Sequence, residues 1–251
     1  MSQLLFVWLG SNRARKRGVV ETGVLLDRAA RAGLPVPAGA ILLDDVYRLA
    51  LAEGIAVIRD GRVLVPDIHL LHDLLYQAIR FPPIDAPVAV RPAFSVATEA
   101  GENQPRPAGL KVFVDFTDPG QLADSLSEAW SSALSRPGDG RHDVLVTEMV
   151  TAGVTGVALS KQGYADDLVY FSRQSAIPTA ATANESLSLP RPRWWWQSSQ
   201  GIPPFAQRLQ KLLRGVRRTF GKGHWRVEWI DDGNVCWLWQ IHFWLSTNFT
   251  L

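Results

Sequence analysis

Two strands and a turn are written into 225-WRVEWIDDGNVCWLWQIHF-243. Side chains alternate over 225–230 and again over 235–243, the period of a strand, and Asp232-Gly233 between them is a preferred hairpin dipeptide. Such a hairpin sets Glu228 across from Gln240, two oxygen-bearing side chains on adjacent strands.

The same signal recurs in 55-IAVIRDGRVLV-65, where Asp60-Gly61 joins two largely apolar runs. Helices alternate with such strands. Over 206–220 the stripe Phe205, Leu209, Leu212, Leu213, Val216 and Phe220 faces inward, with Arg208, Lys211, Arg214, Arg217 and Arg218 mostly outside it. Over 19–32 the helical spacing is carried by Val20, Val24, Leu25, Ala29 and Ala32, ending at Gly33 as a C-cap with Pro35 and Pro37 barring continuation. Asp44 or Asp45 is placed to cap a helix reaching about residue 53. Residues 69–79 read as a helix with Leu70, Leu71, Leu74 and Leu75 inward, and 121–134 as one with Leu122, Leu126, Trp130 and Leu134 on one face. Strands are expected at 4–9, 40–43, 88–91, 112–116 and 168–171, and 144–150 with 153–159 as a pair around a turn. Residues 11–18 form a basic loop and 96–109 a polar, Gly- and Pro-rich one. Periodicity is weak over 174–204, which holds the triplet Trp194, Trp195 and Trp196. The pattern is α+β, with mixed or antiparallel sheets and packed helices.

Composition limits the function. The 251 residues suffice for one domain or two lobes, and 47% apolar with 20% charged content marks a globular chain. A net charge of +2 does not by itself call for a nucleic-acid partner. Cys236 is the single cysteine, so no internal disulfide can form. The N-terminus has its apolar run before its charges, the reverse of a secretory signal, and no stretch nears the ~20 apolar residues of a membrane span. A cytoplasmic location and no membrane partner are the expectation.

Three segments, 29-AARAGLPVPAGAIL-42, 87-PVAVRPAFS-95 and 228-EWIDDGNVCWLWQIHF-243, together resemble the N-terminal ATP-grasp-type domain of phosphoenolpyruvate synthase and pyruvate phosphate dikinase. The likeness spans roughly 19–243 at low density, and RAGLPVPAG is its best single motif. It implies a two-lobed fold, about 1–140 and 141–251, with ATP between the lobes. It also implies ATP and Mg²⁺ as ligands, and a phosphoryl group passed to a histidine or small acceptor on a separate phosphohistidine-domain or other partner protein. No T-C-H-type swivel motif or barrel segment is found here.

Site residues follow from the resemblance position by position. Arg91 ends VAVR, similar to the family's VAVRSS, and so would contact phosphates; Pro92 and Ala93 replace the serines, with Ser95 a partial substitute. A strand-end arginine paired with a surface carboxylate is the plainer alternative. Glu228-Trp229 matches the family's E-W, and Gln240 its glutamine, which implies that Glu228 and Gln240 hold Mg²⁺ and that Gln240 also meets the nucleotide. Mg²⁺ takes few protein oxygens and keeps several waters. Two outward polar residues on an amphipathic hairpin would look the same. The segment 144-VLVTEMVTAGVTGVAL-159 resembles the hinge that passes adenine, and so Glu148, Met149 and Val150 would seat it.

Departures stand beside the matches. The family's phosphate lysine aligns near Thr22, its first hairpin aspartate is Arg226, its late arginine is His242, and Thr147 replaces a glutamine. His242 is carried as a catalytic position with Arg91. Lys16, Arg17, Lys111 and Lys161 are further cations that no motif ranks. These losses keep open a second reading, a catalytically impaired pseudoenzyme retained as a binding or scaffold module. His69 and His72 lie one helical turn apart, but no third ligand is near, and solvated helix residues explain them. The basic helix and RPRWWW could hold single-stranded nucleic acid by phosphate contacts and stacking. A packed helix with a solvated cationic face explains them more simply.

Overall fold

The structure, a computed structural model, describes residues 4–94, 109–134, 140–173, 183–191 and 201–243. The chain divides into two units: Met1–Arg28, Ala38–Thr98 and Pro107–Met149 form the first, and Ala29–Pro37, Glu99–Arg106 and Val150–Leu251 the second. Each is built on a five-stranded antiparallel sheet, so the α+β class holds.

In the first unit β1 (Phe6–Trp8), β2 (Gly39–Leu42), β7 (Val144–Glu148), β5 (Val88–Pro92) and β6 (Lys111–Val114) lie side by side in that order. Alternation sends Ala40, Leu42, Val88, Val90, Val144 and Val146 to one face, where they share a core with Leu122, Leu126 and Trp130 of α4 (Pro119–Leu134). The expected turn at Asp60-Gly61 joins β3 (Val57–Arg59) to β4 (Arg62–Leu64), with φ of 51° and 72° at the two turn residues, both positive as this tight hairpin requires.

Several local expectations are corrected. Residues 144–148 and 154–160 are strands but do not pair: β7 is flanked on both edges by β2 and β5, and β8 (Val154–Ser160) lies in the other sheet. Asp44 does not cap α2 (Asp44–Ala52); Leu43 occupies the cap position, and the Asp44 carboxylate instead accepts the His142 backbone N–H. That N–H, with Arg48, outweighs burial and holds the Asp44 carboxyl below its usual range. In the 69–79 segment, α3 (Ile68–Asp73) is capped by Asp67 and continues as a wide turn over Leu74–Ala78. Leu70 is exposed there, whereas Leu71, Leu74 and Leu75 are buried.

The second unit orders its strands β10 (Glu185–Pro190), β9 (Asp166–Ser172), β8, β11 (Trp225–Asp231) and β12 (Cys236–Phe243). β10 was not legible in the sequence; the Trp194–Trp196 triplet and loop 96–109, apart from its last residue, lie outside the described residues. α1 (Glu21–Arg31) ends as expected at Gly33, with φ of 79°. The Leu34 N–H reaches the Ala29 carbonyl and the Gly33 N–H that of Ala30, the paired bonds of a Schellman cap. Among the described residues no helix is long and apolar enough to cross a membrane.

Two outcomes test this packing. Gly156 on β8 has no room for a side chain, since a Cβ would stand 2.2 Å from the Tyr170 carbonyl oxygen and 2.8 Å from the Trp229 ring. Gly156→Ala should lower unfolding free energy by about 1–3 kcal/mol in urea titrations. Tyr76 donates its hydroxyl to the Phe116 carbonyl at 2.8 Å, and burial, with Asp115 nearby, pushes its phenol up to about 12. The folded state keeps this proton after the unfolded chain releases its own near pH ~10. The contribution is whole below that point and is lost as pH rises toward about 12. The stability difference between wild type and Tyr76→Phe should therefore shrink across that window.

Candidate functional site

The register of the second sheet assigns every side chain in it to one of two faces. Trp225, Val227, Trp229 and Asp231 of β11 share a face with Ser160, Phe171 and Asp167. α5 (Pro204–Phe220) covers this face. Phe205 stacks on Trp229 with centroids 5.7 Å apart and planes 11° from parallel. Two cations expected outside the apolar stripe are fixed by buried carboxylates. Arg208 forms a two-pronged pair with Asp231, both contacts at 2.7 Å, and Arg217 meets Asp167 at 2.8 Å and the Ser160 hydroxyl at 2.9 Å. Arg191 joins Asp167 from the end of β10. Lys211, Arg214 and Arg218 are exposed, so only part of the helix has the solvated cationic face expected of it.

The opposite face carries the predicted hairpin residues. β11 and β12 pair Glu228 with Gln240, as expected, and Arg226 with His242. A bulge then inserts Trp239, so that Trp229 faces Leu238. Glu228 is buried at 8% exposure, while Arg226, Gln240 and His242 are half-buried. The Arg226 guanidinium stands 3.4 Å from a Glu228 carboxylate oxygen. One carboxylate, one amide oxygen, one guanidinium and one imidazole therefore share a small area of one sheet face.

The first unit holds the other predicted residues. Arg91 lies on β5 at 6% exposure and pairs in register with Leu145, and the strand runs on through Pro92. On the same face, Thr147 is 1% exposed and its hydroxyl has no hydrogen-bond partner among the described residues. Ser95 lies outside the described residues. Glu148 ends β7 with its N–H given to the Ala38 carbonyl, and the Met149 N–H goes to Pro87. Pro87 has no N–H to return to Met149. Thr22 is buried on α1, and Cys236 is a core residue whose thiol is pushed up by burial and by Asp231. His69 is exposed on α3 and His72 half-buried, and among the described residues no group of three or more His, Cys, Asp or Glu could hold a metal.

Sequence reading missed the carboxylates that do most of the fastening. Asp231 sits inside the hairpin's turn signal, Asp167 in a short strand segment, and Asp27 within a helix; in each case an acid beside buried apolar residues was the available cue.

No family model matches this chain, and no curated protein does. Among solved structures, D-alanine–D-alanine ligase from Bacillus anthracis is similar over 89% of this chain and 56% of its own, at 10% identity and a TM-score of 0.45. The Helicobacter pylori ligase is similar over 93% and 60%, at 12% identity and a TM-score of 0.45. The Bacillus anthracis ligase complexed with ATP is similar over 94% and 55%, at 10% identity and 0.44. This chain thus spans a little over half of those proteins. Likeness at that level assigns it neither family nor ligand.

Removing Asp167 would leave Arg191 and Arg217 without their shared acceptor. Asp167→Ala should cost about 3 kcal/mol, the scale of a broken buried pair. Arg217→Ala in the same background should cost less than it does alone, measured as a double-mutant cycle.

Proposed function

We propose that this chain is a divergent, ATP-grasp-like nucleotide-binding domain of the phosphoenolpyruvate synthase and pyruvate phosphate dikinase type. It would pass a phosphoryl group from Mg-ATP to a histidine or small acceptor on a separate protein. The pairing of Glu228 with Gln240 on the sheet face opposite α5 carries this reading. Support comes from the sequence resemblance and from the α+β arrangement of two antiparallel sheets.

Phosphoryl transfer asks the protein for positioning and charge more than for covalent chemistry. Arg91 suits a phosphate, since a buried guanidinium offers several fixed donors to one oxyanion. The Met149 carbonyl, opposite a proline that cannot donate to it, suits an adenine amino group, with Glu148 and Val150 on either side. Glu228 and Gln240 fit a Mg²⁺ that arrives with its nucleotide, because that ion draws most of its shell from phosphates and water. Bound there, it would neutralise phosphate oxygens. His242 lies across from Arg226, where it could hold a proton or a phosphate oxygen.

One observation favours the second reading, a pseudoenzyme that binds nucleotide without turnover. Arg226 stands where the resemblance expects an aspartate, and its guanidinium is 3.4 Å from Glu228. A cation at that distance competes with a metal for the carboxylate.

Calorimetry with ATP, with and without Mg²⁺, tests both readings. Magnesium-dependent binding that Glu228→Ala abolishes is the expected result, and no binding at saturating ATP would sink the proposal. Arg226→Ala should tighten Mg²⁺-dependent binding severalfold if the arginine blocks the metal. Weakened binding instead would mean that it serves the phosphates.

A further inference from the structure

The basic loop between β1 and α1 is held by an unusual fastener. Asp27, 2% exposed, accepts three backbone N–H groups from this loop: Gly10 at 2.9 Å, Asn12 at 3.0 Å and Ala14 at 2.9 Å. The chain bends through positive φ at Gly10 and Asn12, then makes one tight helical turn over Arg15–Arg17, closed by Gly18 at φ 68°. Ala14 is fully buried beneath it. A solvated charge run needs no such construction. Here a buried carboxylate spends its acceptors on ordering nine residues of loop.

The ordered loop presents Arg13, Arg15 and Lys16, all exposed. No ion pair or hydrogen bond of their side chains is found among the described residues. Four acids near the loop are otherwise engaged. Asp27 is taken by the backbone, Asp143 by Arg141 and Asp44 by Arg48, and Asp45 is 4.0 Å from Arg17. The loop is also tied to the strand end that carries Arg91. Arg141 donates to the Arg17 carbonyl and to Asp143, and the Asp143 carbonyl accepts the Ala93 N–H at 2.8 Å. Val19, at the end of the loop, and Ala93 both border Gly23.

We infer that Arg13, Arg15 and Lys16 form a preorganised binding element for a chain of phosphates. Three cations on a fixed backbone match a ligand with several closely spaced oxyanions, because little conformational entropy is left to lose on binding. A single carboxylate would not need three. In this chain the loop supplies the positive charge that is missing at Thr22. That identification of the ligand as a nucleotide's phosphate tail rests on the proposed function, whereas the phosphate chemistry does not.

Inorganic tripolyphosphate, without Mg²⁺, is the probe. Its binding to the full chain is measured by calorimetry against two triple variants of equal charge change. Arg13→Ala/Arg15→Ala/Lys16→Ala should weaken it about tenfold or more, the scale of losing charge-assisted contacts. Lys211→Ala/Arg214→Ala/Arg218→Ala, on α5, should leave it within about twofold. Equal losses in both variants, or retained affinity in the loop variant, would overturn the inference. Circular dichroism on each variant checks that the fold is intact, which the exposure of all six side chains favours. Tripolyphosphate bound at the loop with no ATP bound would sink the nucleotide reading alone. ATP binding indifferent to the loop variant would sink the assignment of the loop to a nucleotide's phosphate tail.

Discussion

The alternation of β11 is the constraint on which the second unit depends. Trp225, Val227, Trp229 and Asp231 must all point toward α5, because Trp229 stacks on Phe205 and Asp231 receives Arg208 there. A strand has only two faces, so Arg226 and Glu228 must point the other way. A slip of one residue would turn Glu228 and Arg226 toward the helix and turn two tryptophans away from it. The Arg208 pair makes that error costly, since Asp231 is 1% exposed and an unmatched charge at that depth is heavily penalised. The placement of Glu228 opposite Gln240 is therefore enforced from the far side of the sheet.

Buried carboxylates recur as fasteners in both units. Asp27 orders the loop before α1, Asp44 and Asp143 each accept a backbone N–H from the segment carrying the other, and Asp167 and Asp231 receive arginines. Each acid is matched to donors, which is what makes its burial tolerable. The consequence for the surface is uneven. Two of the arginines on α5 are engaged in these pairs, while the loop held by Asp27 keeps three cations in water. The same residue type holds the fold together in one place and remains available for a ligand in the other.

Periodicity and turn chemistry made much of this architecture readable. Asp60-Gly61 marks a hairpin because few other dipeptides accept its two positive φ angles; Gly233 alone takes one in the connection after β11, and Gly33 ends α1 for a similar reason. The stripe from Phe205 to Val216 left α5 no alternative, whereas the register of Glu228 with Gln240 depends on a four-residue connection and a bulge at Trp239 that alternation does not supply. What failed depended on distant partners. Residues 144–148 and 154–160 both look like strands, yet nothing local says that each already has two neighbours elsewhere. Asp44 resembles a helix cap, and only its meeting with His142, nearly one hundred positions away, assigns its oxygens otherwise. Leu70 satisfies the helical pattern, but it lies at the margin of the stripe formed by Leu71, Leu74 and Leu75 and stays exposed. β10 has serines at alternate positions and borders β9 only, so its sequence carries little strand signal.

Arg226 is where the structure changes the chemical question. On the resemblance it replaces an aspartate, which would remove one metal ligand. In space it is a guanidinium 3.4 Å from the carboxylate that remains. These are different perturbations. Losing one ligand weakens a metal site in proportion, because Mg²⁺ can replace a carboxylate oxygen with water. Placing a fixed positive charge beside the other ligand adds repulsion toward a divalent ion and lowers the carboxylate's availability together. A site altered in this way favours a ligand that carries more negative charge than its metal can cancel, or no metal at all. The three exposed cations proposed above as a phosphate-binding element would suit a ligand of the same kind.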